Sequence, residues 1–530
     1  MRKFWIYLAM PVALLNGCQR QQAALEEVEN LAVESSQETS SVEENSENEQ
    51  ENDVTLKESL ENETTTDNEN ETDINHRETG PIFLGNPTEA ETNSISENPP
   101  NPLANQHSIR EAPFHGATVS IIQSEKEKAS EITEEEIEAM VREVAADLNT
   151  VVQNGQTVVI KPNLVQMIVD STGEHLDEEV NGITTDWRVT KAVLKMVREL
   201  NPDGKVYIME GSATGPTRDV MEYFHYTSEY MNGVDDFICL EEDCGAWQDF
   251  DAPEVIKVDL PDGLLHKSYY FNKILYEADV VISIPTLKTS SGVVVTAGIK
   301  NVSIGTPPGN LYGIGPNTPS KRNMVSHKIV DGELDKWIYD YYQAKPISYV
   351  IVDGLQGFQS GPVPMSHERK ETDKMNMRLL LGGKDAVAVD TVCALVTGWD
   401  PESIGYLNLF REYENLGNLT DIRVKGSYVD EVRKNFTVYK EELGGISIED
   451  TQGPEFSGNM MVDGENMAIR YTSEDADKIE VLVDGIFQGS QKAEPEGQIH
   501  LMVPGLSQGD HKVEVIVYDR FLNKSIEKLK

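Results

Sequence analysis

The middle of this chain predicts an α/β fold, a mainly parallel sheet with helices on both faces, preceded by a disordered stalk and followed by a small all-β sandwich. Three observations predict it. Short runs that are apolar on both faces alternate with helical patterns between residues 113 and 452, as in sheets buried on both sides. From residue 453 onward, short strands alternate polar with apolar residues, and no helical pattern interrupts them. Between Gln19 and Arg110 stand 22 Asp and Glu against 4 Lys and Arg, a net −18, with hardly any aromatics. Such a stretch buries too little apolar surface to offset chain entropy.

The elements follow in order. Val119 to Gln123 reads as a first strand, and Thr133-Glu-Glu-Glu136 as a capping box that opens a helix. Ile137, Met140, Val141, Val144 and Leu148 then recur at helical spacing. Thr157 to Lys161 is a continuous apolar strand closed by Pro162. A helix starts at Asp186, with Val189, Val193, Leu194 and Val197 on one face. Lys205 to Met209, Asp279 to Ile284, Tyr349 to Val352 and Leu379 to Leu381 are further strands, and a helix runs from Asp385 to Gly398. In the last segment, Met467 to Tyr471, Lys478 to Val483 and Lys512 to Tyr518 alternate as strands, with turns at Asp484-Gly485 and Gln508 to Asp510. This pattern is similar to bacterial immunoglobulin-like modules.

The ends of the chain set its expected location. Arg2 and Lys3 precede an apolar run from Phe4 to Leu15 that is too short to span a bilayer. Leu15-Asn16-Gly17-Cys18 then resembles a bacterial lipobox. The resemblance implies cleavage after residue 17 and lipidation of Cys18, with the membrane as a partner and an extracytoplasmic, lipid-anchored location. Residues 18–112 would form an acidic linker with a reach of roughly 50–57 Å. Residues 113–452 would form the α/β domain and residues 453–530 the sandwich.

The 530 residues carry a formal net charge of −46. That balance disfavours nucleic acid and anionic lipid surfaces, which need clustered Lys and Arg. Cys239 and Cys244 either pair or remain thiols; Cys393 reads as a core residue. No C-x-x-C run exists, so no iron–sulfur cluster is expected.

Parallel sheets bind ligands beyond the carboxyl ends of their strands. Lys161-Pro162-Asn163 follows one strand, Glu210-Gly211 the next, and Pro285 to Thr289 a third, with Ile299-Lys300-Asn301 shortly after. Asp353-Gly354 closes a fourth. Lysines there suit phosphate or carboxylate, and the carboxylates a hard cation such as Mg²⁺.

These residues carry a resemblance to the DUF362 family. Val158 to Leu164 resembles its opening motif, and Thr184-Thr185-Asp186 its next segment. Ile284 to Thr289, with Gly298 to Asn301, resembles its central motif. Asp353 to Gly357, Gly361-Pro-Val363 and Lys384 to Asp390 resemble its closing motifs. Relatives often carry His after the central Lys-Thr pair, where this chain has Ser290; His327 and His367 are possible substitutes.

The expected site therefore assigns catalytic roles to Lys288, Lys300 and Asp353. Ligand contacts fall to Lys161, Asn163, Thr185, Asp186, Gly211, Asn301 and His327, and metal contacts to Glu210 and Asp390. Plainer roles compete. Asn163 and Asn301 could cap turns, Asp186 a helix, and Asp390 could join a structural ion pair. No H-E-x-x-H helix or G-x-x-x-x-G-K-[ST] phosphate loop is present. Gly305 to Gly309 and Gly313-Ile-Gly315 read as a flexible loop, not a dinucleotide fingerprint. The sequence thus points to a site that binds an anionic or metal-bound small molecule, with turnover of it as a further expectation. The alternative is a non-catalytic docking lipoprotein.

Overall fold

The computed structural model describes residues 109–167, 174–213, 215–313, 333–364, 366–438 and 444–530. Cys18, the acidic linker up to residue 108 and His327 lie outside the described residues.

Strand β1 is Ala117–Gln123 and helix α1 is Glu134–Val144. Thr133 Oγ1 accepts from Glu136 N, and a Glu136 carboxylate oxygen accepts from Thr133 N, so the capping box forms. Ile137, Met140, Val141 and Val144 are buried on one face of α1, each contributing roughly 1.5–3 kcal/mol. Strand β2 is Thr157–Lys161, helix α2 is Trp187–Leu200, β3 is Lys205–Glu210 and β4 is Asp236–Cys239. A hairpin of β5 (Val255–Asp259) and β6 (Ser268–Asn272) precedes β7 (Val280–Ser283). A second hairpin pairs β8 (Thr286–Ser290) with β9 (Val294–Thr296), and helix α3 (Gly298–Gly305) follows directly. Then come α4 (Glu333–Ala344), β10 (Tyr349–Phe358), β11 (Lys374–Gly383), α5 (Ala386–Val396), α6 (Gly405–Glu414) and β12 (Ile422–Gly426).

The main sheet runs β12-β1-β11-β10-β7-β2-β3-β4, with β8 also paired to β10. From β10 through β7, β2, β3 and β4 all neighbours are parallel. Strand β11, however, is antiparallel to both β10 and β1. The sheet is therefore mixed, and the expectation of a mainly parallel one holds for the β10–β4 half. Leu379, Leu380 and Leu381 are all buried, so a uniform apolar run left strand direction unmarked.

Alternate residues of each central strand enter different cores. Val158, Ile160, Val280, Ile282 and Ile351 pack with residues of α1 and α2. Val159, Val281, Val350 and Val352 pack instead with residues of α4, α5 and α6.

The C-terminal region is all-β. Strands β13 (Glu455–Asp463), β14 (Asn466–Glu474) and β17 (Glu496–Met502) form one antiparallel sheet. Strands β16 (Ile486–Lys492), β15 (Lys478–Val483), β18 (Val513–Tyr518) and β19 (Lys524–Leu529) form another. Inward residues of both, including Ile469, Tyr471, Val481 and Val515, share one core.

This region packs firmly on the α/β domain, and the described residues from 109 onward belong to one compact unit. Arg433 donates from Nη1 to Asn523 Oδ1 (2.8 Å), from Nε to Leu395 O (3.0 Å), and from Nη2 to Phe521 O. Buried Lys478 donates to Ile422 O at 2.6 Å. Lys524 pairs with Asp430 and Glu431. The entering chain also touches this region. Ile109 joins its core, Ala112 N donates to Phe487 O, and Gln488 Nε2 donates to Arg110 O, both at 2.9 Å. Phe114 meets Phe487 edge-on at 5.9 Å.

Candidate functional site

Strands β2, β3 and β7 are parallel neighbours, so Lys161, Glu210 and Ser283 emerge on one edge of the sheet. The apolar run Val158-Val-Ile160 pins β2 inside the sheet and carries Lys161 in with it. Lys161 is 1% exposed and its ammonium lies 2.6 Å from Glu210 Oε1. It also donates to Pro162 O (2.6 Å) and Asn301 Oδ1 (3.4 Å). Glu210 in turn accepts from Gly211 N and Leu164 N, both at 2.7 Å. A buried ion pair survives only when its remaining lone pairs are filled in this way.

Asn301 and Asn163 extend the network. Asn301 Nδ2 donates to Lys161 O (3.0 Å) and Ser283 Oγ (3.1 Å), which fixes the orientation of its amide. Asn163 Nδ2 donates to Asn301 Oδ1 at 3.1 Å. Asn163 Oδ1 accepts from Lys288 Nζ at 3.1 Å. Lys288 also donates to Ile183 O at 2.6 Å. Thr185 locks this loop, because Asn163 N donates to Thr185 Oγ1 (2.8 Å), which donates onward to Ile284 O (2.7 Å). Lys161, Asn163, Glu210, Asn301 and Lys288 thus form one hydrogen-bonded chain.

Lys288 differs from Lys161. It is 1% exposed, yet both hydrogen-bond partners are uncharged. Burial, reinforced by positive Lys300, holds its amine well below the usual lysine value. Lys300 reaches Ser290 Oγ at 2.6 Å and Thr296 Oγ1 at 3.2 Å, off the main chain of bonds. Burial brings it down to about 7, against the pull of Asp335.

The other expected residues occupy neighbouring positions. Asp186 caps α2 and forks onto Arg188, with Nη2 to Oδ2 at 2.6 Å and Nε to Oδ1 at 3.0 Å. Asp353 accepts from Asp186 N (2.8 Å) and Leu355 N (3.1 Å). Burial, then the adjacent Asp186 carboxylate, raises Asp353 to about 7. Asp390 caps α3, accepting from Gly298 N (2.7 Å), Ile299 N (3.1 Å) and Tyr406 OH (3.0 Å). Burial raises it to about 7 as well. Asp390 and Glu210 are therefore engaged apart, and among the described residues no group of three His, Cys, Asp or Glu is placed to hold a metal. Cys239, Cys244 and Cys393 are buried thiols, and no bridge joins the first two.

Sequence reasoning misplaced or overlooked several residues here. Gly305, expected in a flexible loop, instead ends α3 against Lys161: a Cβ there would lie 2.6 Å from the ammonium. Thr296 and Asp335 surround Lys300 without any motif to announce them, together with Ser290, which the central motif singled out only as a departure. Gly505-Leu-Ser-Gln-Gly509 does fit the letters G-x-S-x-G. It forms a 3-10 turn between β17 and β18, not the strand-to-helix elbow that presents a nucleophile.

Comparison with curated proteins finds no match. Among solved structures, fibronectin(III)-like modules of Clostridium thermocellum CbhA are 21% identical over 14% of this chain and 91% of theirs, with a TM-score of 0.12. The lactate racemase apoprotein from Thermoanaerobacterium thermosaccharolyticum is 13% identical over 55% of this chain and 62% of its own, with a TM-score of 0.27. TM-scores this low carry no argument about function. Residues 158–395 match the family described as a domain of unknown function, DUF362, and this match supports the DUF362 family for the α/β domain.

Proposed function

We propose that the α/β domain binds a small anionic molecule at the sheet edge built from Lys161, Asn163, Lys288, Lys300 and Asn301. One observation carries this reading: Lys288 is fully buried with only neutral oxygens as hydrogen-bond partners. Burial favours the neutral amine there, and an anion bound beside it would supply the counter-charge that an ammonium needs. Asp353, raised to about 7 by burial, is then partly protonated at neutral pH and can serve as a proton source.

Thermal unfolding with inorganic phosphate and succinate tests the reading. A hundredfold excess over Kd stabilises by about 2.7 kcal/mol. Lys288→Met should abolish that stabilisation. An unaltered anion response in Lys288→Met would sink the proposal.

We also propose that the protein stands outside the cytoplasmic membrane, anchored through a lipidated Cys18 on the acidic linker, a reading supported by the run Leu15-Asn16-Gly17-Cys18. Cys18→Ala should leave a longer, unlipidated precursor in membrane fractionation. The C-terminal strands, three and four in two sheets around one core, support an immunoglobulin-like module. A second reading, a docking lipoprotein acting through this module, draws on exposed Met461, Val462 and Met502. They rim a depression of about 320 Å³. Serine at Met461 and Met502 in the full chain should then release a partner without altering anion binding.

A further inference from the structure

The geometry points to a Ser290–Lys300 nucleophile–base dyad that cleaves carboxylic esters carrying an anionic group, a use of this edge beyond simple binding. It rests on the anion reading for placement of the substrate. Ser290 ends β8 and Lys300 lies in the first turn of α3, so two rigid elements present them to each other. Lys300 Nζ stands 2.6 Å from Ser290 Oγ, within proton-transfer reach, and Thr296 Oγ1 holds the same nitrogen at 3.2 Å. A nucleophile touching a base that a third group orients is the arrangement that activates serine, and lysine serves as that base in Ser-Lys variants.

Three further observations fit. Gly292 N donates to Ser290 Oγ at 3.2 Å, a contact that stabilises oxygen as its proton departs. Val294, paired with Ser290 across the hairpin, holds φ at +66°. A β-branched residue rarely adopts that conformation, and such strain clusters at working sites. Ser290 is itself 2% exposed, and the partly exposed Ser291 and Gly292 beside it mark where this turn reaches the surface. Lys300, brought down to about 7 by burial, is partly neutral at physiological pH, as a base must be.

The chemistry balances with water as co-reactant. Ser290 Oγ attacks the acyl carbon while Lys300 Nζ takes its proton, and the carbonyl electrons move to oxygen. Collapse breaks the bond to the leaving alkoxide, which receives the proton from the Lys300 ammonium. Water then attacks the acyl-serine, Lys300 accepts its proton, and the carboxylic acid leaves as Ser290 recovers that proton. Lys288 lies two residues before Ser290 on β8, on the same side of the strand and roughly 7 Å along it. An anionic group held there places the ester within one short carbon chain of the nucleophile.

A fluorophosphonate probe on the full chain, followed by intact and peptide mass spectrometry, tests the dyad. Ser290 Oγ displaces fluoride from phosphorus and keeps a stable adduct. The expected result is one adduct, on Ser290, absent in Ser290→Ala. Lys300→Arg keeps donors toward Ser290 and Thr296 but cannot accept the proton, so the folded variant should label at least 100-fold more slowly. The wild-type labelling rate should rise with pH, with its midpoint at about 7, as Lys300 loses its proton. The groups facing Lys300 are Asp335 from α4, Ser290 and Lys288 from β8, and Thr296 from β9. Equal labelling of Ser290→Ala, or an unlabelled wild type that phosphate still stabilises, overturns the dyad while leaving the anion site standing. Loss of both labelling and stabilisation overturns the two together.

Discussion

Two lysines, each 1% exposed and on neighbouring parts of one network, should respond to the same substitution with very different magnitudes. In Lys161→Met the Glu210 carboxylate stays buried, retaining Leu164 N and Gly211 N but losing the ammonium 2.6 Å away. An orphaned buried charge costs about 3–5 kcal/mol. In Lys288→Met no charge is orphaned. Ile183 O keeps a contact from Thr286 Oγ1 at 3.4 Å, so mainly Asn163 Oδ1 loses its donor. One unsatisfied acceptor costs about 1–3 kcal/mol. Relief from burying an amine, already held far below its usual value, offsets much of that. The net effect of Lys288→Met should stay within about 1 kcal/mol. Urea unfolding at pH 7 in a non-coordinating buffer measures both, followed by tryptophan fluorescence. Trp187, Trp247, Trp337 and Trp399 all lie before residue 453, so the signal reports the α/β domain. Equal losses in the two variants, or a loss under 1 kcal/mol in Lys161→Met, would refute the reasoning.

Other consequences can be measured alongside. Gly305→Ala places a Cβ 2.6 Å from Lys161 Nζ and 2.8 Å from Cε. It should cost about 1–3 kcal/mol and couple non-additively with Lys161→Met in a double-mutant cycle. Asp390, raised to about 7, stays protonated in the folded state while the unfolded carboxyl ionises. Stability should therefore fall as pH rises from about 4 to 7, and Asp390→Asn should make that limb shallower in pH-dependent urea titrations, the rest belonging to Asp353, which is raised alike. Lys300 has the opposite sign: its folded value of about 7 lies below the unfolded one. Stability should rise between about pH 7 and 10, and Lys300→Met should reduce that rise, the remainder belonging to Lys288, whose amine is also held low. Arg433→Ala deletes donors to Leu395 O, Phe521 O and Asn523. It should cost about 3 kcal/mol and speed proteolytic release of the segment beyond residue 453.

Parts of this fold were legible because apolar runs mark buried strands. Thr157–Lys161 is a strand with the bounds expected of it, and Asp186 caps the helix beginning at Trp187. The hairpin that holds Ser290 was not legible. Thr286-Leu-Lys-Thr-Ser290 mixes polar side chains without alternation, and its burial comes from elements far away in sequence. Likewise α3 opens on Gly298 with no capping residue before it; its cap, Asp390, arrives from 92 residues downstream. The candidate site shows the same division. Strand ends nominated Lys161, Glu210, Lys288 and Asn301, but which lysine keeps a carboxylate is a tertiary fact. Lys161 and Glu210 are 49 residues apart, and local pattern says nothing at that range.

Residues 109–114 matter mechanically. Anything pulling on the chain from upstream meets them before it meets β1. Ile109 would have to leave its apolar socket, and the bonds at Arg110 and Ala112 would part, before tension reached the central sheet. They lie along β16, which ends its sheet, so this short clasp also shields an open edge. The C-terminal β region would then act as a shock absorber, taking up shear at one end of the molecule while the lysine cluster keeps its geometry.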